Sequence, residues 1–503
     1  MHKHLTILLS LVALLSLGVL ASAQAERNVL RVAYVDNVQS FYPVIATTFA
    51  DLQVARSVYD KLFVAGPDGP EPALALTLDS NEAQTDWTMT LREGVQWHNG
   101  DPFTADDVVH NIERYADPEG GSGVAALFAD LQSVEAVDDF TVQMRFSVAQ
   151  IGLQQRLSSH LMTIFPANVP AEELATNPIG TGAFVFERFE IGQRVVLRAN
   201  DNYWNPALPI VDGLEVVLIP DANTAFAALS SGEVDIVDLF PTALVPVAEA
   251  DPNLQIVTQA SGSLPIYVMR ADTPPFDDLR IREALKLVVD RDQMNTLLAG
   301  GVGFITNDQP VPPANPFYNE AVAPRQQDVQ RAGELVAEAG YADGLDITLT
   351  VSDVFSGAVD GAVALQASAA QAGINIEVET VPASDYWSSH WQQAPFYVTI
   401  FATRSNPSDL LNIGFRSGAV FFEGAWENED RDALIDAGAV EVDPERRAEL
   451  LDETQALISA EGPYIVPVMA PSLLGARSDV AGLDEQAAYS PVPRFHNVGF
   501  AGS

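Results

Sequence analysis

Hydrophobic and polar residues alternate with a period of two from Asn28 to Val35 (NVLRVAYV), which predicts a first strand. A loop over Asp36 to Phe49 separates it from an amphipathic pattern at Ala50 to Phe63 that predicts a helix. Gly66-Pro67-Asp68-Gly69-Pro70 then marks a turn and a domain edge. From Asp86 the stretch DWTMTLREGVQWHNGDPFTADDVVHNIERY reads as a strand, a turn at Glu93-Gly94, a second short strand ending near His98, a turn at Asn99-Gly100, and a helix. Thr104 followed by Asp107 is a capping-box variant, so that helix begins after Thr104 and runs to about Tyr115. Val134 to Phe146 predicts a strand pair turning at Asp138-Asp139. Further strands are predicted at Ala183 to Phe189, Val195 to Ala199, Leu214 to Ile219, Val234 to Val237 and Ile266 to Met269, with a helix at Asn223 to Ser230. Thr273-Pro274-Pro275-Phe276 interrupts the pattern before a helix at about Asp278 to Val289 and reads as a crossover between domains.

The second half alternates more regularly. Helix Ala332 to Ala339, strand Asp346 to Val351, helix Ala362 to Ala372 and strand Asn375 to Thr380 lead to a buried strand, Phe396 to Phe401, after Pro395. Helix Pro444 to Ala460 and strand Ile465 to Met469 follow. This is an α/β pattern with a largely parallel sheet, whose strand ends are where ligands sit.

A chain of 503 residues, 48% of them hydrophobic, can bury two or three cores. Its start, MHKHLTILLSLVALLSLGVLASAQAERN, has a short basic segment, an apolar run from Leu5 to Leu20 and an A-x-A site at Ala23 to Ala25. These are the parts of a secretory signal peptide over residues 1–25, with a mature chain from Glu26. No later stretch is long and apolar enough to span a membrane, so the expected address is the periplasm. The chain has no cysteine, which excludes disulfides, thiolate metal sites, cysteine nucleophiles and a lipidated cysteine at the cleavage site; a lipoprotein is not expected. The formal net charge of −42 is spread along the chain and opposes nucleic acid or anionic lipid as a partner.

Candidate chemistry concentrates in Ser384 to Asn412. Tyr386, Trp387, Trp391, Phe396, Tyr397 and Phe401 fall close together in a chain that is 8% aromatic, and Ala402-Thr403-Arg404-Ser405-Asn406-Pro407 follows them. A strand end offering rings for contact area and one guanidinium for a carboxylate is a small-molecule cradle. No H-E-x-x-H, G-x-S-x-G or P-loop is present, and the Gly-rich loop Asn177 to Gly182 lacks the helix and Lys of a phosphate cradle. Asp106-Asp107 and Asp277-Asp278 sit at helix starts, where acidic residues offset the dipole. Nothing here points to an enzyme, and no cofactor is expected.

Five blocks occur in order along the chain: WTMTLREGVQWHNGDPFTADDVVHNIER, NPIGTGAFVFERF, ANDNYW, IPDANTAFAALSSGEVDIVD and PPFDDLRIREALKLVVDRDQM. Through them the chain resembles the dipeptide, oligopeptide and nickel-binding group of extracellular solute-binding proteins, family 5, which serve ABC importers. The resemblance implies a two-lobe α/β periplasmic binding protein of type II, cluster C-like, closing about a hinge, with an extra third domain. Lobe I would comprise residues 26–60, 176–268 and 474–503, the extra domain 61–175, and lobe II 269–473. It implies a monomer with a small-molecule ligand and permease subunits in the inner membrane as partners. It also implies ligand contacts at Thr47, Phe49, Leu264 to Tyr267, Tyr397, Phe401, Thr403 and Arg404, with Tyr386 or Trp387 as a further wall. Peptide-binding relatives carry an Asp about four residues before the loop proline, and this chain has Thr403 there with Arg404 beside it. That exchange favours a carboxylate-bearing, peptide-like or amino-acid-derived ligand on Arg404. Asp409 either replaces the lost charge or caps the following helix. The alternative is a nickel chelate or other non-peptide solute, for which His390 is the one histidine in the ligand region.

Overall fold

A computed structural model describes residues 28–46, 48–66, 69–122, 124–159, 161–313, 315–352, 357–382, 385–402, 404, 406–419, 421–483 and 494–501. Its backbone is a twelve-stranded mixed sheet. Ten strands carry the argument: β1 (Val29–Tyr34), β2 (Phe184–Glu190), β3 (Arg194–Ala199), β4 (Gly213–Leu218), β5 (Ile236–Val237), β6 (Leu254–Met269), β7 (Leu345–Ser352), β8 (Ile374–Val381), β9 (Phe396–Ala402) and β10 (Val468–Arg477). They lie in the order β8-β7-β9-β6-β10-β5-β1-β4-β3-β2. At 16 residues, β6 is about 50 Å long. One half of it pairs with β10 through Leu254 to Ser263, and the other pairs with β9 through Ser263 to Met269. The register with β10 shifts between Gln259 and Gly262. A Cβ on Gly262 would lie 2.0 Å from the Ala470 carbonyl oxygen, so the strands cross there only because that residue is glycine. A separate four-stranded antiparallel sheet spans residues 75–146 and carries helix Ala105–Ala116.

Much of the quoted sequence similarity resolves into clasps between segments. Asp60 accepts hydrogen bonds from Tyr203 (2.9 Å), Trp204 (2.8 Å) and Thr181 (3.1 Å), and the Arg92 guanidinium lies 4.2 Å over the Trp204 ring. Gly180 and Gly182 run against the backbone of Val58, where a Cβ would meet the Val58 carbonyl oxygen at 1.8 and 2.6 Å. His98 is held on the same loop by the Gly182 carbonyl at 3.0 Å and the Gly180 amide at 3.3 Å; burial pulls its pKa down to about 4, so it stays neutral. In the PPF block, Arg282 donates to the Glu461 carbonyl (2.9 Å) and Lys286 to the Ser459 carbonyl (2.8 Å). Those are carbonyls of the last turn of helix Pro444–Glu461, where cations are favoured.

Most predicted elements appear within a few residues, including the Thr104–Asp107 capping box and the strand Phe396–Ala402. Three expectations change. The first helix, Phe49–Val58, ends well before Phe63, because Asp60 is engaged by Tyr203 and Trp204 and Phe63 begins a hairpin strand. That hairpin, Phe63–Gly66 with Gly69–Pro72, occupies the expected domain-edge turn. No strand ends at His98; Gln96 forms a single bridge to Pro102. The sheet of the second half is parallel only across β8, β7 and β9, since β6 and β10 enter it antiparallel. Strand periodicity shows which face is buried and carries no information about direction.

Candidate ligand site

Alternation along β9 divides its side chains between two cores. Phe396 and Val398 join Tyr267 and Met269 of β6 against helices Leu279–Leu287, Arg291–Ala299 and Ala358–Ala370. Tyr397 and Phe401 face the other way, with Leu410, Phe415 and Tyr464. On that second face Tyr397 donates to the Glu423 carbonyl (3.2 Å) and Thr399 to Glu423 Oε1 (3.5 Å).

Beside this face lies a cavity of about 250 Å3 whose walls include Trp387, Trp391, Phe401, Arg404, Phe421 and Glu423. Trp387, 47% exposed at its mouth, meets Tyr386 and Trp391 edge-on at 5.1 and 5.5 Å, and Trp391 meets Phe421 at 6.1 Å. A π-helical turn, Tyr386–His390, holds the tryptophans there, with the Tyr386 hydroxyl donating to the Val398 carbonyl. Arg404, Ile413 and Phe421 also line a second chamber of about 720 Å3, whose opposite wall includes Ala116, Leu127, Phe128 and Leu131. The two chambers therefore meet at Arg404. Burial pulls the Arg404 guanidinium below its usual value and nearby Asp409 acts the other way. Among the described residues it has no hydrogen bond or ion pair.

The loop that carries Arg404 is pinned from both sides. Asn406 caps helix Pro407–Gly414 through Ser408 and receives Arg447 at 2.9 Å, while its own amide donates to the Ile151 carbonyl at 3.4 Å. Asp409 pairs with Arg156 at 3.0 Å, and both side chains are only 11% exposed. Residues 150–156 and 406–409, about 250 positions apart, are thus fastened together.

Of the residues expected at the ligand, the structure brings Trp387, Phe401 and Arg404 to the cavity wall. Tyr386 and Tyr397 stand behind that wall and brace it. Asp409 faces Arg156. Tyr267 lies in the opposite core, its hydroxyl 3.8 Å from Met294 Sδ. Phe49 packs with Leu52 and Leu161 near the start of its helix. Thr47 and Thr403 lie outside the described residues. The sequence reading missed Trp391 as a wall residue, together with Phe421 and Glu423. A second aromatic cluster, Phe421-Phe422-Glu423-Gly424-Ala425-Trp426, with one acid at its centre, was the available signal.

Glu423 is 1% exposed, and its Oε2 makes no hydrogen bond among the described residues; the same holds for Trp391 Nε1. Burial pushes its carboxyl up to about 7. The turn that presents it is rigidly held. Phe421 donates to the Ile413 carbonyl (2.9 Å), the Gly424 carbonyl accepts from Ala271 (2.8 Å), and the Trp426 carbonyl accepts from buried Arg431. Gly424 is required, since a Cβ there would come within 2.5 Å of Pro463.

Known proteins share this architecture. The heme-binding protein A of Haemophilus influenzae is 27% identical over 452 residues, covering 82% of this chain and 81% of its own. The glutathione-binding protein GsiB of Shigella boydii is 26% identical over 503 residues, covering 93% and 94%. The crystal structure of the ABC transporter substrate binding protein CtaP from Listeria monocytogenes, 22% identical, superposes with a TM-score of 0.86 over 94% of this chain and 99% of that one. The fold is therefore that of the periplasmic binding proteins. A family model for bacterial extracellular solute-binding proteins, family 5 Middle, matches residues 69–419, and the chain belongs to that family.

Proposed function

We propose that this protein is the periplasmic, signal-peptide-exported binding component of an ABC importer. It captures a small peptide-like or carboxylate-bearing, amino-acid-derived solute by hinge closure and delivers it, as a monomer, to inner-membrane permease subunits. The separate sheet of residues 75–146 and the long crossing strands β6 and β10 support a division into lobe I (26–60, 176–268, 474–503), an extra domain (61–175) and lobe II (269–473). Arg404 is the observation that carries the reading. The chain has 68 acidic residues against 26 Lys and Arg, yet this half-buried guanidinium, at the junction of two chambers, has no carboxylate on it among the described residues. A planar fork left open beside aromatic walls matches a ligand carboxylate.

Mass spectrometry of the solute released from natively purified protein should find a carboxylate-bearing compound in stoichiometric amount. Breaking a desolvated charge pair from one side costs about 2 to 5 kcal/mol, so Arg404→Ala should weaken binding of that compound by roughly 30-fold or more. Arg404→Lys should recover part of it, because an ammonium does not reproduce the fork. A released solute without an anionic group, or Arg404→Ala binding within about twofold of the parent, would contradict the reading.

A further inference from the structure

We propose that Glu423 is the cation-binding residue of the smaller chamber. It takes a protonated amine of the solute, so the ligand is amphoteric, with its carboxylate on Arg404 and its apolar body extending into the larger chamber. This deepens the solute-binding reading and rests on it.

Three observations converge on the carboxylate. Glu423 lines the chamber, is almost wholly buried, and has only neutral groups beside it, the Thr399 hydroxyl at 3.5 Å, the Trp391 indole and the Tyr397 hydroxyl, with Oε2 making no well-aligned hydrogen bond among the described residues. No Lys, Arg or His of the described residues forms an ion pair with it. A buried acid without a counter-charge is costly, and burial, outweighing its neutral hydrogen-bond neighbours, pushes its carboxyl up to about 7. The turn that carries it is fixed at Phe421 and Gly424 by backbone hydrogen bonds and at the Trp426 carbonyl by the Arg431 guanidinium. A protonated amine supplies what is missing, a counter-charge with three N–H donors. The rings of Trp387, Trp391 and Phe421 around the chamber add the aromatic surface that an alkylammonium prefers.

Size and polarity assign the rest of the molecule. About 250 Å3 holds one end of a solute, and the neighbouring 720 Å3 is walled by Leu127, Phe128, Leu131 and Ile413, with Arg404 shared between the two. An amine at Glu423, an acid at Arg404 and an apolar body beyond it describe an amino acid or short peptide with bulky apolar side chains.

Isothermal titration of the full chain, stripped of bound solute, with Phe-Leu, N-acetyl-Phe-Leu and Phe-Leu amide tests this. Phe-Leu should bind at least about 10-fold more tightly than the acetylated form, and Glu423→Gln should bring those two within about twofold of each other. Equal binding of Phe-Leu and N-acetyl-Phe-Leu by the unaltered protein would overturn the proposal and leave the Arg404 reading intact. Equal binding of the amide, with the acetylated form lost, would uphold Glu423 and overturn Arg404 as the carboxylate site. Failure of all three to bind would overturn both. The comparison of ligands on the unaltered protein stands even where the Glu423→Gln chain does not fold.

Discussion

Glu423 links site chemistry to stability through its proton. Its carboxyl titrates at about 7 in the folded chain against an ordinary 4.5, so the folded state binds more protons than the unfolded one between those values. Stability from this group is therefore lost as pH rises from about 4.5 through 7. The titratable groups around it, Tyr386, Tyr397 and Tyr464, are phenols that burial pushes upward, and they offer no counter-charge in that window. Relative to the parent chain, ligand-free Glu423→Gln should gain about 3 kcal/mol between pH 4.5 and pH 8, read by urea unfolding at both values. A difference that stays constant with pH would show that the carboxylate is neutralised by something other than ligand. At this scale the sequence was informative for some residues and silent for others. Arg404 was singled out because it follows Thr403, the position where the resemblance places an acid, and the structure puts it on the cavity wall. Tyr267 and Tyr397 were both expected at the ligand, yet they face opposite cores of paired strands, and register, which decides the face, is not written in either strand alone.

Elements fasten the site from outside. The Arg156–Asp409 pair joins the short helix Leu153–Leu157 to helix Pro407–Gly414, two segments far apart in sequence, directly behind the Arg404 loop. Both side chains are largely buried, so each alone is a poorly solvated charge. A double-mutant cycle with Arg156→Ala and Asp409→Asn should give a coupling of about 1 to 2 kcal/mol in ligand affinity, with each single change weakening binding. Additive effects would make the pair a bystander. Helices and strands themselves were largely legible, since caps such as Thr104–Asp107 and the period-two runs are local signals. The full 16 residues of β6 were not, because Leu254 to Pro265 mixes polar residues, a glycine and a proline, and it is extended by pairing with β10 rather than by its own pattern.

For the whole molecule, the sheet is continuous from β8 to β2, and β6 and β10 pair at the junction of its halves. The hinge closure proposed above would bend the sheet at the β6–β10 pairing, which carries a register shift beside Gly262. The architecture was legible through its ordered blocks, whose residues Tyr203, Gly180 and Arg282 clasp Asp60, Val58 and the end of helix Pro444–Glu461. Ligand identity was not, because it depends on which side chains share a chamber. Small-angle scattering on chain stripped of solute, then saturated with the compound it releases, tests the hinge-closing capture most directly. The radius of gyration should fall on saturation, and an unchanged radius with the ligand demonstrably bound would contradict the account.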